Sequence, residues 1–167
     1  MNALFQLFFN ICRLKKGPDS VPSSVNLLLI LFIANFIIET GLGLTSYSFA
    51  LAAFLAIFAI VALFLFTGVW LYLFRLTNRY LQTITALVGV SLLTNIICFI
   101  PLTFLWKMGI LANDSFAMIN LLLIFWVLTI YANIFRRALN LSFFLGIALV
   151  ITYFITFNTL AFNITGS

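Results

Sequence analysis

Apolar residues in this chain come in long runs, and nearly all of the few charged residues fall between those runs. A bilayer core about 30 Å thick is crossed by roughly 20 apolar residues in an α-helix. Five segments meet that length: 25–44, 49–74, 81–105, 116–135 and 139–162. The connections between them are only a few residues long, too short to hold a separate soluble domain. The pattern therefore predicts an all-α fold, a polytopic membrane helical bundle of five transmembrane helices over 25–162. The second run is long enough that it must tilt or protrude.

Residues 1–16 read differently. The apolar stretch MNALFQLFFNIC comes before its basic cluster, whereas in a cleaved signal the positive charge comes first. At helical spacing Asn2, Gln6, Asn10 and Arg13 share one face, with Leu4, Phe5, Phe8, Phe9, Ile11 and Cys12 on the remainder. This predicts an N-terminal interfacial amphipathic helix lying on the inner leaflet. Residues 17–24, GPDSVPSS, hold two prolines and a glycine and predict an elbow. Ser23 or Ser24 is then the N-cap of the first span. Residues 163–167 are expected to form an external tail.

Composition sharpens the class. Of 167 residues 65% are hydrophobic and 7% charged, with a mean hydropathy of +1.28. A soluble domain carries about 25% charged residues. Histidine is absent, and there are two cysteines and three carboxylates. That excludes His-based triads, imidazole-ligated haem or zinc, and clustered metal sites, so no cofactor is expected. A diaspartyl intramembrane site is also excluded, because Asp19 and Asp114 fall outside the spans and at opposite ends.

The eight basic residues are unevenly placed. Arg13, Lys15 and Lys16 precede the first span, Arg75 and Arg79 join the second to the third, and Arg136 and Arg137 join the fourth to the fifth. Lys107 alone lies on the other side. The positive-inside rule puts the N-terminus on the cytoplasmic side and the C-terminus outside. Those seven cations would contact anionic lipid at about 1 kcal/mol per residue near the headgroups. They are dispersed over three segments without an aromatic platform outside the membrane, which argues against nucleic acid as a partner. The sequons at Asn113 and Asn163 would matter only in a secretory pathway.

The short amphipathic lead, the basic cluster from Arg13 to Lys16, the elbow with Gly17, Pro18, Pro22 and Ser24, and the spacing of five spans together resemble the small bacterial members of the Yip1 family of integral membrane proteins. One departure is Ser20, which stands where the family pattern has an acidic residue, with Asp19 one place earlier. The resemblance implies a non-enzymatic membrane protein, of a family associated in eukaryotes with vesicle transport and small GTPases.

Glu39 is the one carboxylate inside a span, and an ionisable group there is costly and functional by default. Asn35 precedes it by one turn on the same face. Counted from the basic ends, Glu39 and Asn95 both lie fourteen residues in, roughly 21 Å along their helices. Asn120 falls at a comparable level, with Thr156 and Asn158 nearby. These residues form a candidate polar layer, either a water-accessible ion or substrate site or a set of groups that snorkel to the interface and hydrogen-bond one another. The same arithmetic separates Cys12 from Cys98 by roughly 25 Å in depth, too far for a disulfide. Cys12 beside its basic cluster is a candidate for acylation.

Small residues predict the seams where helices meet in lipid. Ala52, Ala56 and Ala59 form one stripe, Ala138, Ser142 and Gly146 a second, and Thr85 and Gly89 a shorter third. Their partners are other helices of the chain or a second copy of it, and the protein as a whole is expected to have a membrane-protein partner or to form a homo-oligomer. Pro101 is expected to bend or end the third span. The whole reads as a non-enzymatic interaction or membrane-organising component, and alternatively as a small transporter or channel subunit using Glu39.

Overall fold

The computed structural model describes residues 2–165, so Met1, Gly166 and Ser167, with part of the 1–16 segment and of the 163–167 tail, lie outside it. The side chain of Asn2 does too. Among the described residues the fold is an all-α bundle of six helices: α1 (Asn2–Cys12), α2 (Val25–Gly43), α3 (Phe49–Leu73), α4 (Thr77–Lys107), α5 (Asn113–Leu139) and α6 (Phe143–Thr165). The last five are long and apolar enough to cross a membrane.

Local chemistry sets the helix ends. Ser24 caps α2, its Oγ accepting from the Leu27 amide at 3.3 Å. Four helices stop in one way, with a left-handed residue followed by a six-to-one backbone bond. Leu14, Arg75, Gly109 and Asn140 supply that residue, and the amides of Lys15, Leu76, Ile110 and Leu141 reach back to Asn10, Leu71, Leu105 and Arg136. Arg136 and Arg137 in the last turn of α5, and Asp114 in its first, match the helix dipole.

α4 is the axis of the bundle. Half of its most apolar stretch is buried, against 11% to 22% in the other four spans. From Thr83 to Val90 every residue is buried, which requires neighbours on all sides. These are α1, α2, α3 and α5, while α6 packs on α5 and α3. Tyr153 of α6 lies against Phe66 with ring centroids 5.2 Å apart, and Phe157 against Phe58 at 5.6 Å.

The small-residue seams acquire partners. A Cβ at Gly43 would come within 2.9 Å of Ala52, and one at Gly146 within 2.6 Å of the Ala132 carbonyl oxygen, so these glycines set the α2–α3 and α5–α6 approaches. Gly89 faces α1, because a Cβ there would overlap the Phe8 ring.

Two expectations need correction. The segment preceding the elbow does not simply lie flat: Phe8, Ile11 and Cys12 are buried against the bundle while Leu4, Phe5 and Phe9 remain exposed. Pro101 does not end α4, which runs on to Lys107. Just before it the helix widens into a π turn over Asn95–Phe99, the Ile100 amide donating to the Asn95 carbonyl. The wider turn makes Pro101 the start of a fresh helical segment, where proline is tolerated.

Candidate functional site

Glu39 sits one turn before the end of α2, turned towards α4. Its Oε1 accepts from Asn35 Nδ2 at 2.8 Å, one turn earlier, and from Ser91 Oγ of α4 at 3.3 Å. The Asn95 side chain, at the start of the π turn, faces the same carboxylate. Tyr131 of α5 is buried against Ser91 from the third side. Asn35 is 2% exposed, and its Oδ1 has no partner among the described residues. The result is a carboxyl group held between helices by neutral donors. Such a group can bind a proton or a cation, or can serve as an interhelical clamp.

Of the expected polar layer, the structure thus brings together Asn35, Glu39 and Asn95. Asn120 is half-buried on α5 and makes no hydrogen bond to the cluster. Asn158 is exposed, and its Nδ2 donates to the Phe154 carbonyl of its own helix at 2.7 Å. It lines a separate cavity with Tyr47 and Leu55. Thr156 is exposed as well. Equal depth did not bring Thr156 and Asn158 to the cluster because α6 packs on α5 and α3, one layer removed from α4. Ser91 and Tyr131 complete the cluster and escaped the sequence reading. Ser91 lies one turn before Asn95, so the four-residue spacing that linked Asn35 to Glu39 would have found it.

The basic segments gather at one end. Arg79 Nη1 donates to the carbonyls of Arg137 and Ala138 and to Asn140 Oδ1, and Arg137 Nη2 donates to the Leu14 carbonyl at 3.3 Å. Arg79, Arg137 and Asp19 line a cleft of about 310 Å³ with Pro18, Gln82 and Asn140. Arg13, Lys15, Lys16 and Arg75 are exposed. The guanidiniums of Arg13 and Arg136 lie over the rings of Phe9 and Phe143. At the opposite end Lys107 Nζ donates to the Thr45 carbonyl at 3.3 Å.

Cys12 and Cys98 line one cavity of about 40 Å³ with Leu93, Thr94 and Ile97. The separation expected from depth fails because α1 packs along α4 instead of staying at the helix ends. Burial pushes the Cys12 thiol up to about 11, with Cys98 adding to the effect. That leaves it a poor acylation target. Among the described residues no group of three or more Cys, Asp or Glu side chains could hold a metal ion.

No protein-family model matches the chain, and no curated protein or solved structure is detectably similar to it.

Proposed function

We propose that the chain is a Yip1-like protein of a bacterial inner membrane, acting without catalysis as an interaction or membrane-organising component, with its N-terminus cytoplasmic and its C-terminus periplasmic. The observation that carries this reading is the seating of α1. Phe8, Ile11 and Cys12 fix one face of the helix in the bundle, while Leu4, Phe5, Phe9 and Leu14 stay exposed beside Arg13, Lys15 and Lys16. An apolar, aromatic edge with a basic flank, held rigidly by the bundle, suits insertion into one anionic leaflet. Added area in one leaflet favours curved membrane or neighbours that relieve it.

Reconstitution into vesicles of graded diameter tests the proposal. The wild type should concentrate in the smallest anionic vesicles, and Phe5→Ser with Phe9→Ser should remove that preference while leaving the bundle folded. Equal partitioning of both proteins would refute the organising role. Co-purification from native membranes in mild detergent tests for a partner or a second copy.

A second reading, a small transporter or channel subunit, draws on the Glu39 cluster, because a half-buried carboxyl inside a span and a π turn are each features met at functional sites, and here they face one another. Under it Glu39→Gln abolishes pH-dependent ion movement in vesicles. Wild-type vesicles without flux of any tested ion would remove it.

A further inference from the structure

The cleft at the basic end is lined by both signs of charge, and its volume of about 310 Å³ is at the lower end of small-molecule sites. Each arginine in it is pinned by one nitrogen only. Arg79 is held through Nη1 and Arg137 through Nη2, by acceptors 3.3 to 3.4 Å away. Nη2 of Arg79 and Nη1 of Arg137 have no acceptor among the described residues; the Nε of Arg137 has none either, but it is buried and closed to a ligand. Guanidiniums fixed in this way, with donors left open, are preorganised for the oxygens of a phosphate.

A simple anion fits only part of this cleft. Asp19 stands with Arg137 beside Gly17, where a Cβ would overlap both side chains, so the glycine keeps that wall open. Asp19 is exposed and makes no ion pair with any described residue. Its carboxylate would repel a lone phosphate but would attract an ammonium carried a few ångströms from one. We infer that the cleft seats the headgroup of an amine-bearing phospholipid of the phosphatidylethanolamine type, its phosphate on Arg79 and Arg137 and its ammonium on Asp19. The inference rests on the proposal that this end of the bundle lies in a headgroup layer.

The test is native mass spectrometry of the full chain in detergent, titrated with short-chain phosphatidylethanolamine, phosphatidylglycerol, phosphatidylcholine and inorganic phosphate. Phosphatidylethanolamine should fill one site about tenfold more tightly than phosphatidylglycerol, which lacks the ammonium, or phosphatidylcholine, whose quaternary nitrogen donates no hydrogen bond. Asp19→Asn should erase that margin. Gln82→Glu, which adds a negative charge to the cleft, should weaken all three lipids about tenfold. The side chains of Asp19 and Gln82 make no hydrogen bond to described residues, so both variants should fold, which circular dichroism checks. Equal binding of the three lipids, or an Asp19→Asn protein that keeps the preference, overturns the inference. Displacement of bound lipid by inorganic phosphate overturns it in favour of a soluble phosphate. Bulk anionic-lipid enrichment in vesicles, read with Lys15→Gln and Lys16→Gln, tests the underlying surface reading separately. Enrichment that falls in those variants while the cleft shows no preference discards the seat alone.

Discussion

Gly89→Ala tests how α1 is seated. The added Cβ would overlap the ring of Phe8, which is 5% exposed and has little room to turn, so the displacement passes to α1 itself. Overpacking of this kind costs about 1–3 kcal/mol. Lipid tails are as apolar as the core, so helix docking there has little hydrophobic driving force and rests on fit. A few kcal/mol is then enough to release α1. Cys12 reports the event, because it is 3% exposed and its thiol is pushed from 9.0 up to about 11, by burial first and by Cys98 in addition. At pH 8 the thiolate fraction would rise from roughly one in a thousand to roughly one in ten, a gain in alkylation rate of up to about a hundred-fold, and less where Cys98 is removed. The assay is alkylation by iodoacetamide in a Cys98→Ser background, and shortening the ring with Phe8→Leu should restore part of the protection. Because the docked state holds the thiol neutral, its contribution to docking is full below about pH 9 and is lost as pH rises to about 11. A Gly89→Ala protein alkylated as slowly as its parent would refute the seating.

Gly146→Ala places a methyl 2.6 Å from the Ala132 carbonyl oxygen, so α5 and α6 must separate, and unfolding in denaturing detergent should show a loss of about 1–3 kcal/mol. Gly41→Ala is the control: its Cβ meets nothing within 4 Å, and stability should hold or rise by up to about 1 kcal/mol from helix propensity. Removing the Ser91 hydroxyl with Ser91→Ala should cost about 0.6 kcal/mol, and nothing further once Glu39 is Gln if the two act as one hydrogen-bonded unit, which a double-mutant cycle measures. Spin labels at Phe5 and Phe9 should report lipid and one at Ile11, which is fully buried, should be immobile; equal mobility at all three would mean that α1 is not docked. A reporter fused after Ser167 should be active only on the periplasmic side, and cytoplasmic activity would reverse the proposed orientation.

The helices were legible because their signal is uninterrupted: runs such as 49–74 carry no charge over more than a bilayer's thickness. The seams at Gly146 and Ala52 were legible as well, since close backbone approach leaves a small residue every fourth position. What the pattern could not give was the third dimension. Asn35 and Glu39 met because they share a helix face, whereas Asn158 shares only a depth with them and packs one layer away. The burial of Cys12 beside Ile97 and Cys98 depended on α1 running along α4 before the chain turns back. Nothing in MNALFQLFFNIC distinguishes a helix whose partner is lipid from one whose partner is another helix. Gly89 was the one clue, and its partner could not be named from sequence.

Pro101 and Asn95 show how a constraint in one place shapes chemistry in another. A proline within a helix removes one amide donor and crowds the carbonyl four residues earlier, here that of Ile97. The chain absorbs this by widening the turn over Asn95–Phe99, so that the Ile100 amide reaches the Asn95 carbonyl five residues back. The widened turn begins at the residue that faces Glu39. Replacing Pro101 by Ala removes the steric cause, so the helix should return to regular four-residue bonding. The register beyond Asn95 would then rotate relative to Ser91 and Glu39. A π turn that persisted in the Pro101→Ala protein would show that the polar cluster, rather than the proline, holds it open.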